Sequence, residues 1–242
     1  MSLVGAALLQ LTFAAGPMDA ALKATEAPPT LRAAFTVELV SPKARRTYRF
    51  DPRLEADERW QLTGASGEDS ALDEAGAAWG AEIAPDGRLF PDDLRASLGE
   101  RVTVDDLGAG WRLRFRHTPS ENDTELDVWA TQRLQAIAWL EPEMGRFLRI
   151  DYALPRPVRG PNGGRLTHFE QTYLLENEPV WDLTYVSRYR LSFVAKAGPR
   201  TIRQSYEATV QEADFFFATE DARQAYVTAQ LDPVTISQRT AR

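Results

Sequence analysis

The sequence predicts a mainly β protein of the α+β kind: a single, strongly curved antiparallel sheet with short helices over its concave face. Three observations carry this expectation. Val180 to Val194, VWDLTYVSRYRLSFV, alternates in character. Trp181, Leu183, Tyr185, Tyr189, Leu191 and Phe193 fall on one side, with Ser187 the only interruption, and Asp182, Thr184, Arg188, Arg190 and Ser192 fall on the other. That is the two-residue period of a strand with one apolar face, whereas a 3.6-residue period would scatter the same aromatics around a helix. Shorter stretches with the same alternation recur along the chain. Finally, 43% hydrophobic and 26% charged residues over 242 positions suit one globular domain with a sizeable core.

The elements follow in order. Leu3 to Ala15, LVGAALLQLTFAA, is an uncharged apolar run as long as a signal-peptide core, and cleavage after Ala14 would put Thr12 and Ala14 at the small-residue positions. No Lys or Arg precedes it, and the competing reading is a first helix running on towards Lys23. The domain itself is expected over 16–230. Met18 to Ala27 suits a short helix, which Pro28 and Pro29 must end. Ala33 to Ser41 sets Phe35, Val37 and Leu39 on one face. Arg45 to Phe50 sets Tyr48 and Phe50 opposite Arg45, Thr47 and Arg49, and Ser41-Pro42-Lys43 makes the pair a hairpin. Trp60 to Leu62 begins a third strand.

Gly64 to Gly99 breaks the alternation. It is expected to cross the sheet as an irregular acidic excursion, either a lid, binding loop or mobile region or a solvated insert without a role, with a helix from Pro91 that turns Leu94 and Leu98 to one side. Between Glu55 and Glu100 there are twelve acidic residues and three basic ones, so a net charge of −7 for the chain leaves the remainder at +2. Strands resume at Val102. Trp111, Leu113 and Phe115 alternate with Arg112, Arg114 and Arg116; a polar turn at Pro119 to Asp123 leads to one or two strands over Leu126 to Trp139; and Phe147 to Leu154 turns Leu148, Ile150 and Tyr152 together. The prolines and glycines of Pro155 to Arg165, PRPVRGPNGGR, predict a flexible basic loop. His168 to Leu175 then pairs with the Val180 strand through a turn at Glu176 to Pro179. Thr201 to Gln211 adds a strand with Tyr206, Ala208 and Val210 on one face. After Phe215 to Phe217, Thr219 caps a helix that ends near Gln230, followed by a loose tail over 231–242.

Several chemistries lack their residues. With no cysteine there is no disulfide, thiolate nucleophile or cysteine zinc site. His117 and His168 are the only histidines, too few for a multi-histidine metal centre, and no Gly-x-Ser-x-Gly elbow, phosphate-cradling glycine loop or His-Glu-x-x-His occurs. No cofactor is expected. Asp92-Asp93, Asp105-Asp106 and Glu141 with Glu143 read as solvated turn acids rather than a glycosidase pair set across a sugar. Asn122-Asp123-Thr124 matches a glycosylation sequon. The strand arginines 112, 114 and 116 lie opposite the aromatics and cannot share a base with them, and the acidic charge also argues against a nucleic-acid partner. Beyond the N-terminal run no segment approaches the ~18 apolar residues of a membrane span.

What remains is an apolar surplus on the inner face: Phe35, Leu39, Phe50, Trp111, Phe115, Trp139, Tyr152, Trp181, Leu183, Tyr185 and Tyr189. Each such side chain gains roughly 1.5–3 kcal/mol on burial, so either helices fill the concavity permanently or they cover it loosely and an apolar ligand replaces them. The element order, with Leu31-Arg32-Ala33-Ala34-Phe35-Thr36 as the first strand, resembles the periplasmic lipoprotein carrier superfamily, the LolA/LolB-like fold, over Asp19 to Ala218. The resemblance implies an export signal, an N-terminal helix, a half barrel with a lid at 64–99, and inner aromatics in contact with acyl chains. The Pro155 to Arg165 loop and the breadth of the acidic insert depart from that pattern. The expectation is therefore a monomeric, non-enzymatic periplasmic carrier or chaperone for a lipid or acylated protein. The alternative is a module with a permanently filled core that binds an anionic partner through its basic outer face, and a more distant one is a hydrolase using His168.

Overall fold

The computed structural model describes residues 16–91, 94–99, 101–118, 128–130, 132–160 and 163–231. Strands account for 49% of the chain and helices for 22%, which makes it mainly β, and the strands form one large antiparallel sheet that does not close into a barrel. The elements are α1 (Pro17–Thr25), β1 (Leu31–Val40), β2 (Ala44–Phe50), β3 (Trp60–Gly67), α2 (Ser70–Gly80), a 3-10 helix (Pro85–Leu89), α3 (Leu94–Leu98), β4 (Thr103–Asp106) and β5 (Trp111–Phe115). After them come β6 (Gln135–Glu141), β7 (Arg146–Ala153), β8 (Val158–Arg159), β9 (Arg165–Glu178), β10 (Leu183–Ala197), β11 (Arg200–Phe217) and α4 (Glu220–Leu231). The order across the sheet is β3-β2-β1-β11-β10-β9-β7-β6-β5-β4, with β8 on the edge of β9. The first and last strands thus meet in the middle, Leu31 opposite Phe217 and Val40 opposite Glu207.

One face of the sheet carries the helices. In β1 every odd residue from Leu31 to Leu39 is buried, and β2 buries Ala44, Arg46, Tyr48 and Phe50. These pack with Leu72 and Trp79 of α2 and Leu89 of the 3-10 helix into one apolar cluster. A second cluster joins Ala21 and Leu22 of α1 and Leu94 and Leu98 of α3 to Leu113, Phe115, Ala136, Ala138, Leu140, Phe147 and Ile150. Gly145, at φ 58° in the β6–β7 turn, lets α1 lie close, since a Cβ there would come within 3.1 Å of Ala20 Cβ.

The expected hairpin of β1 and β2, the opposition of arginines and aromatics in β5, the short helix before Pro28, and the helix capped by Thr219 are all present; the Thr219 hydroxyl accepts from the Ala222 N–H at 3.2 Å. Four expectations need correction. First, β3 runs on to Gly67, and 68–99 is largely helical rather than irregular. Asp69 caps α2 through the Ala71 N–H, and Leu72, Gly76 and Trp79 form its buried stripe. Second, the turn before β10 lies at 179–182, so Trp181 precedes the strand. Third, residues 128–130 are helical rather than extended. Fourth, Leu148 is 47% exposed, because the register slips there by one residue and Leu140 faces Phe147 instead. The export run 1–15, the turn over Pro119 to Asp123 with its sequon, Asp92-Asp93 and the tail beyond 231 lie outside the described residues.

Candidate functional site

Strand parity decides which side chains reach the helices, and β-bulges reset it. In β10, Val186 faces Leu175 and Arg188 faces Leu174, so Ser187 is the extra residue. Beyond it Tyr189 pairs with Tyr173 and Ala208 on the helix-bearing face. Before it, Val186 joins the cluster beneath α1 and α3, while Tyr185 packs through Phe215 against the cluster beneath α2. The single polar interruption in the alternation marks the place where alternation fails.

A cavity of about 460 Å³ lies between this face and the helical segment that crosses it. Its floor comes from Ile150 and Tyr152 of β7, Gln171 and Tyr173 of β9, Val186 and Tyr189 of β10, and Ala208 and Val210 of β11. Its roof runs from Trp79 through Arg88, Leu89, Phe90 and Pro91 to Leu94 and Ser97. Residues of both apolar clusters line it, so it sits on the seam between them.

The floor carries a row of hydroxyl-bearing rings. Tyr152 and Tyr173 stand edge to face with centroids 6.3 Å apart, Tyr173 and Tyr189 are 5.2 Å apart, and Tyr189 and Tyr206 are 5.8 Å apart. His117 continues the row, its Nδ1 lying 3.4 Å from the Tyr152 hydroxyl. Gln171 donates through Nε2 to the hydroxyls of Tyr173 at 2.6 Å and Tyr189 at 3.3 Å. Burial pushes the Tyr189 hydroxyl far above its ordinary pKa, with the neighbouring hydroxyls of Tyr173 and Tyr206 adding to it. Burial also raises Tyr206, although Arg88 opposes that shift.

Arg88 brings the positive charge. Its guanidinium lies 5.0 Å from the Trp79 ring and pairs on its outer side with Glu82. Burial works to lower its pKa, but Glu82 and the hydroxyls of Tyr206 and Tyr189 outweigh that and hold it above the usual value. Arg188 also borders the cavity, but its guanidinium pairs with Glu207, 3.6 Å away. No carboxylate lines the cavity among the described residues.

Among the described residues the roof is held by the buried side chains of Trp79, Leu89 and Leu94, by the Ser97 carbonyl, which accepts from the Thr118 N–H at 2.9 Å, and by Asp86. The Asp86 carboxylate, with 2% of its side chain exposed, accepts from Arg32 Nε at 2.7 Å, Arg32 Nη2 at 2.9 Å and the Ala33 N–H at 3.1 Å. Trp79 Nε1 donates to the Pro85 carbonyl at 2.9 Å.

Of the inner-face residues expected from sequence, Tyr152 and Tyr189 line the cavity. Phe35, Leu39 and Phe50 are buried in the cluster beneath α2, and Trp111 and Phe115 belong to the cluster beneath α1 and α3. Trp139 lies on the other face: it is opposite Arg112 and Arg149, and its Nε1 donates to Asp151 at 3.1 Å. Trp181 packs on Phe217 and Tyr226, Leu183 is buried near the turn, and Tyr185 packs on Phe215 with its hydroxyl donating to Glu176. Missed from sequence were Trp79, Arg88, Leu89 and Val186. The spacing of Leu72, Ala75, Gly76 and Trp79 after a capping Asp69 was a readable helical signal for the first of them.

On the other face, arginines meet acids: Arg45 with Glu38, Arg190 with Glu207, Arg149 with Asp151, and Arg112 and Arg114 with Asp105. His168 Nε2 lies 3.1 Å from Ser192 Oγ, and among the described residues no carboxylate is hydrogen bonded to that histidine. No group of three or more His, Asp or Glu side chains is placed to hold a metal ion, and no helix is long and apolar enough to cross a membrane, both among the described residues. The chain matches no protein-family model, and neither a curated protein nor a solved structure matches it.

Proposed function

We propose that this chain is a non-enzymatic binding protein, a carrier or chaperone that shields an acyl chain, an acylated protein or a similar apolar group. In this reading the sheet acts as a half barrel, the segment from α2 to α3 is its movable cover, and the protein works in the periplasm, as the lipoprotein carriers that it resembles in element order do. One observation carries the reading: the cavity of about 460 Å³, which falls within the range of small-molecule sites, lies between the sheet and the segment that crosses it and is lined by aliphatic and aromatic side chains with a few polar groups among them. Leu89, Leu94, Ile150, Val186 and Val210 would exchange contact with the void for contact with ligand methylenes, at about 0.8 kcal/mol for each CH₂ buried.

The competing reading, a filled module with a basic working face, has less support, because acids on the same face pair with its arginines. Fluorescence titration with N-phenylnaphthylamine tests the carrier. Saturable binding, reversed by phospholipid or an acylated peptide, is expected. Val186→Glu, which puts a carboxylate into the floor, should abolish it while circular dichroism keeps the native strand signal. A folded wild-type protein without saturable binding would overturn the proposal.

A further inference from the structure

The cavity has an unusual charge balance for this chain. The protein carries −7 overall, and the stretch that supplies the roof is its most acidic part, yet the lining includes Arg88 and His117 and no carboxylate among the described residues. Two described acids of that stretch, Glu82 and Asp86, have partners of their own. Glu82 holds Arg88 from the outer side and is 36% exposed, while Asp86 is committed to Arg32 and the Ala33 N–H. The other polar groups lining the cavity include hydrogen-bond donors: the hydroxyls of Tyr152, Tyr173 and Tyr189 and the Nε2 amide of Gln171. The hydroxyls are already hydrogen bonded to their neighbours, but Arg88 keeps a positive charge at the cavity wall whose five N–H groups outnumber its bonds to Glu82, and an entirely apolar occupant would set hydrocarbon against that charge.

We infer that the occupant is a single-chain amphiphile with an anionic head, a long-chain carboxylate. Its head lies against Arg88 and the hydroxyl row at Tyr189, and its chain lies along Leu89, Leu94, Ile150 and Val186. The inference rests on the binding reading above and narrows it from any apolar group to one chemical class. The planar guanidinium offers a carboxylate paired donors. In this arrangement Glu82 is a competitor: it neutralises Arg88 in the empty protein and is displaced or shared when a second carboxylate arrives. Since Arg88 belongs to the 3-10 helix of the roof, a bound head would also hold that roof down.

Displacement of N-phenylnaphthylamine by three ligands with the same sixteen-carbon chain, hexadecanoate, methyl hexadecanoate and hexadecyl phosphate, separates the outcomes. Hexadecanoate should compete about tenfold or more better than its methyl ester, because a charged hydrogen bond is lost on esterification. Arg88→Leu should remove that difference. Glu82→Gln, which frees Arg88 without touching the cavity wall, should strengthen hexadecanoate binding. It guards against the case in which Arg88→Leu disturbs the roof. Acid and ester competing equally in the wild type, or Glu82→Gln leaving the acid's affinity unchanged, would overturn the anionic head while the apolar-ligand reading stood. Failure of the probe itself to bind would instead remove that reading. Hexadecyl phosphate outcompeting hexadecanoate would overturn the carboxylate in favour of a phosphate head.

Discussion

Tyr189 shows how one buried group carries a condition-dependent share of the stability. Its hydroxyl accepts from Gln171 and is surrounded by Tyr173 and Tyr206, and its pKa is raised chiefly by burial. The sign follows from linkage. At neutral pH the phenol is protonated in both the folded and the unfolded chain and contributes no pH dependence. Above the ordinary tyrosine value of about 10 the unfolded chain releases the proton and the folded one does not, so stability falls as pH rises from there towards the raised folded value. Tyr206 and Tyr48, raised chiefly by burial as well, act in the same direction. Urea midpoints should therefore drop between about pH 9 and about pH 11, and Tyr189→Phe should make that drop shallower. An equally steep drop in the variant would mean that Tyr189 ionises freely in the folded protein. In sequence Tyr189 is recognisable as an inward aromatic. Tyr206 is readable as well, since it shares a face with Ala208 and Val210, but that Tyr173, Tyr189 and Tyr206 meet is not, because only strand pairing brings them side by side.

At the scale of elements, α2 is placed by what it lacks. Gly76 sits on its buried side against Tyr48, and a Cβ there would overlap the tyrosine's ring and hydroxyl. Tyr48 cannot easily yield, since its ring stacks on Trp60 with centroids 5.0 Å apart. Helix propensity alone would favour alanine over glycine by about 1 kcal/mol, but overpacking of a close contact costs typically 1–3 kcal/mol. Gly76→Ala should therefore lower stability in urea unfolding. In a Tyr48→Ala background, where the space is open, the same change should raise it. A stabilising effect in both backgrounds would show that α2 is free to lift from β2. The sequence made these glycines and alanines look like punctuation in an irregular insert, although the capping Asp69 and the Leu72–Trp79 spacing carry a helical pattern. The strands were more legible than the cover, because a period of two survives in short segments whereas a helix of eleven residues rich in alanine shows only a faint stripe. Even so, the bulge at Ser187 resets the faces of β10 and the one at Leu148 turns that side chain outward, while Trp139 is misplaced for a simpler reason: Ala136, Ala138 and Leu140 hold the inner face of its own strand.

Across the whole molecule the two apolar clusters divide the sheet. β1 and β2 lie beneath α2 and the 3-10 helix, β5 to β7 lie beneath α1 and α3, and the cavity is where they meet. The two readings left open by the sequence, a permanently filled core and a loosely covered one, make opposite predictions at this seam. Ala208 is 2% exposed, stands on the floor between Leu39 and Tyr189, and lines the cavity. Ala208→Ile adds a branched side chain there. If the space is vacant, the new methyl groups gain contacts and bury apolar surface, and the urea midpoint should hold or rise while N-phenylnaphthylamine binding weakens at least severalfold. If instead the clusters close against each other in solution, the extra volume has nowhere to go and overpacking should cost about 1–3 kcal/mol. The two measurements must move together: lost probe binding with retained stability supports a vacant seam, and a destabilised variant argues for a filled one. Because a ligand on the seam touches both clusters, it should also stabilise the folded chain in proportion to the logarithm of its concentration above Kd. A midpoint that rises with hexadecanoate in the wild type and stays flat in Ala208→Ile would tie that stabilisation to this space rather than to surface adsorption of the detergent-like ligand.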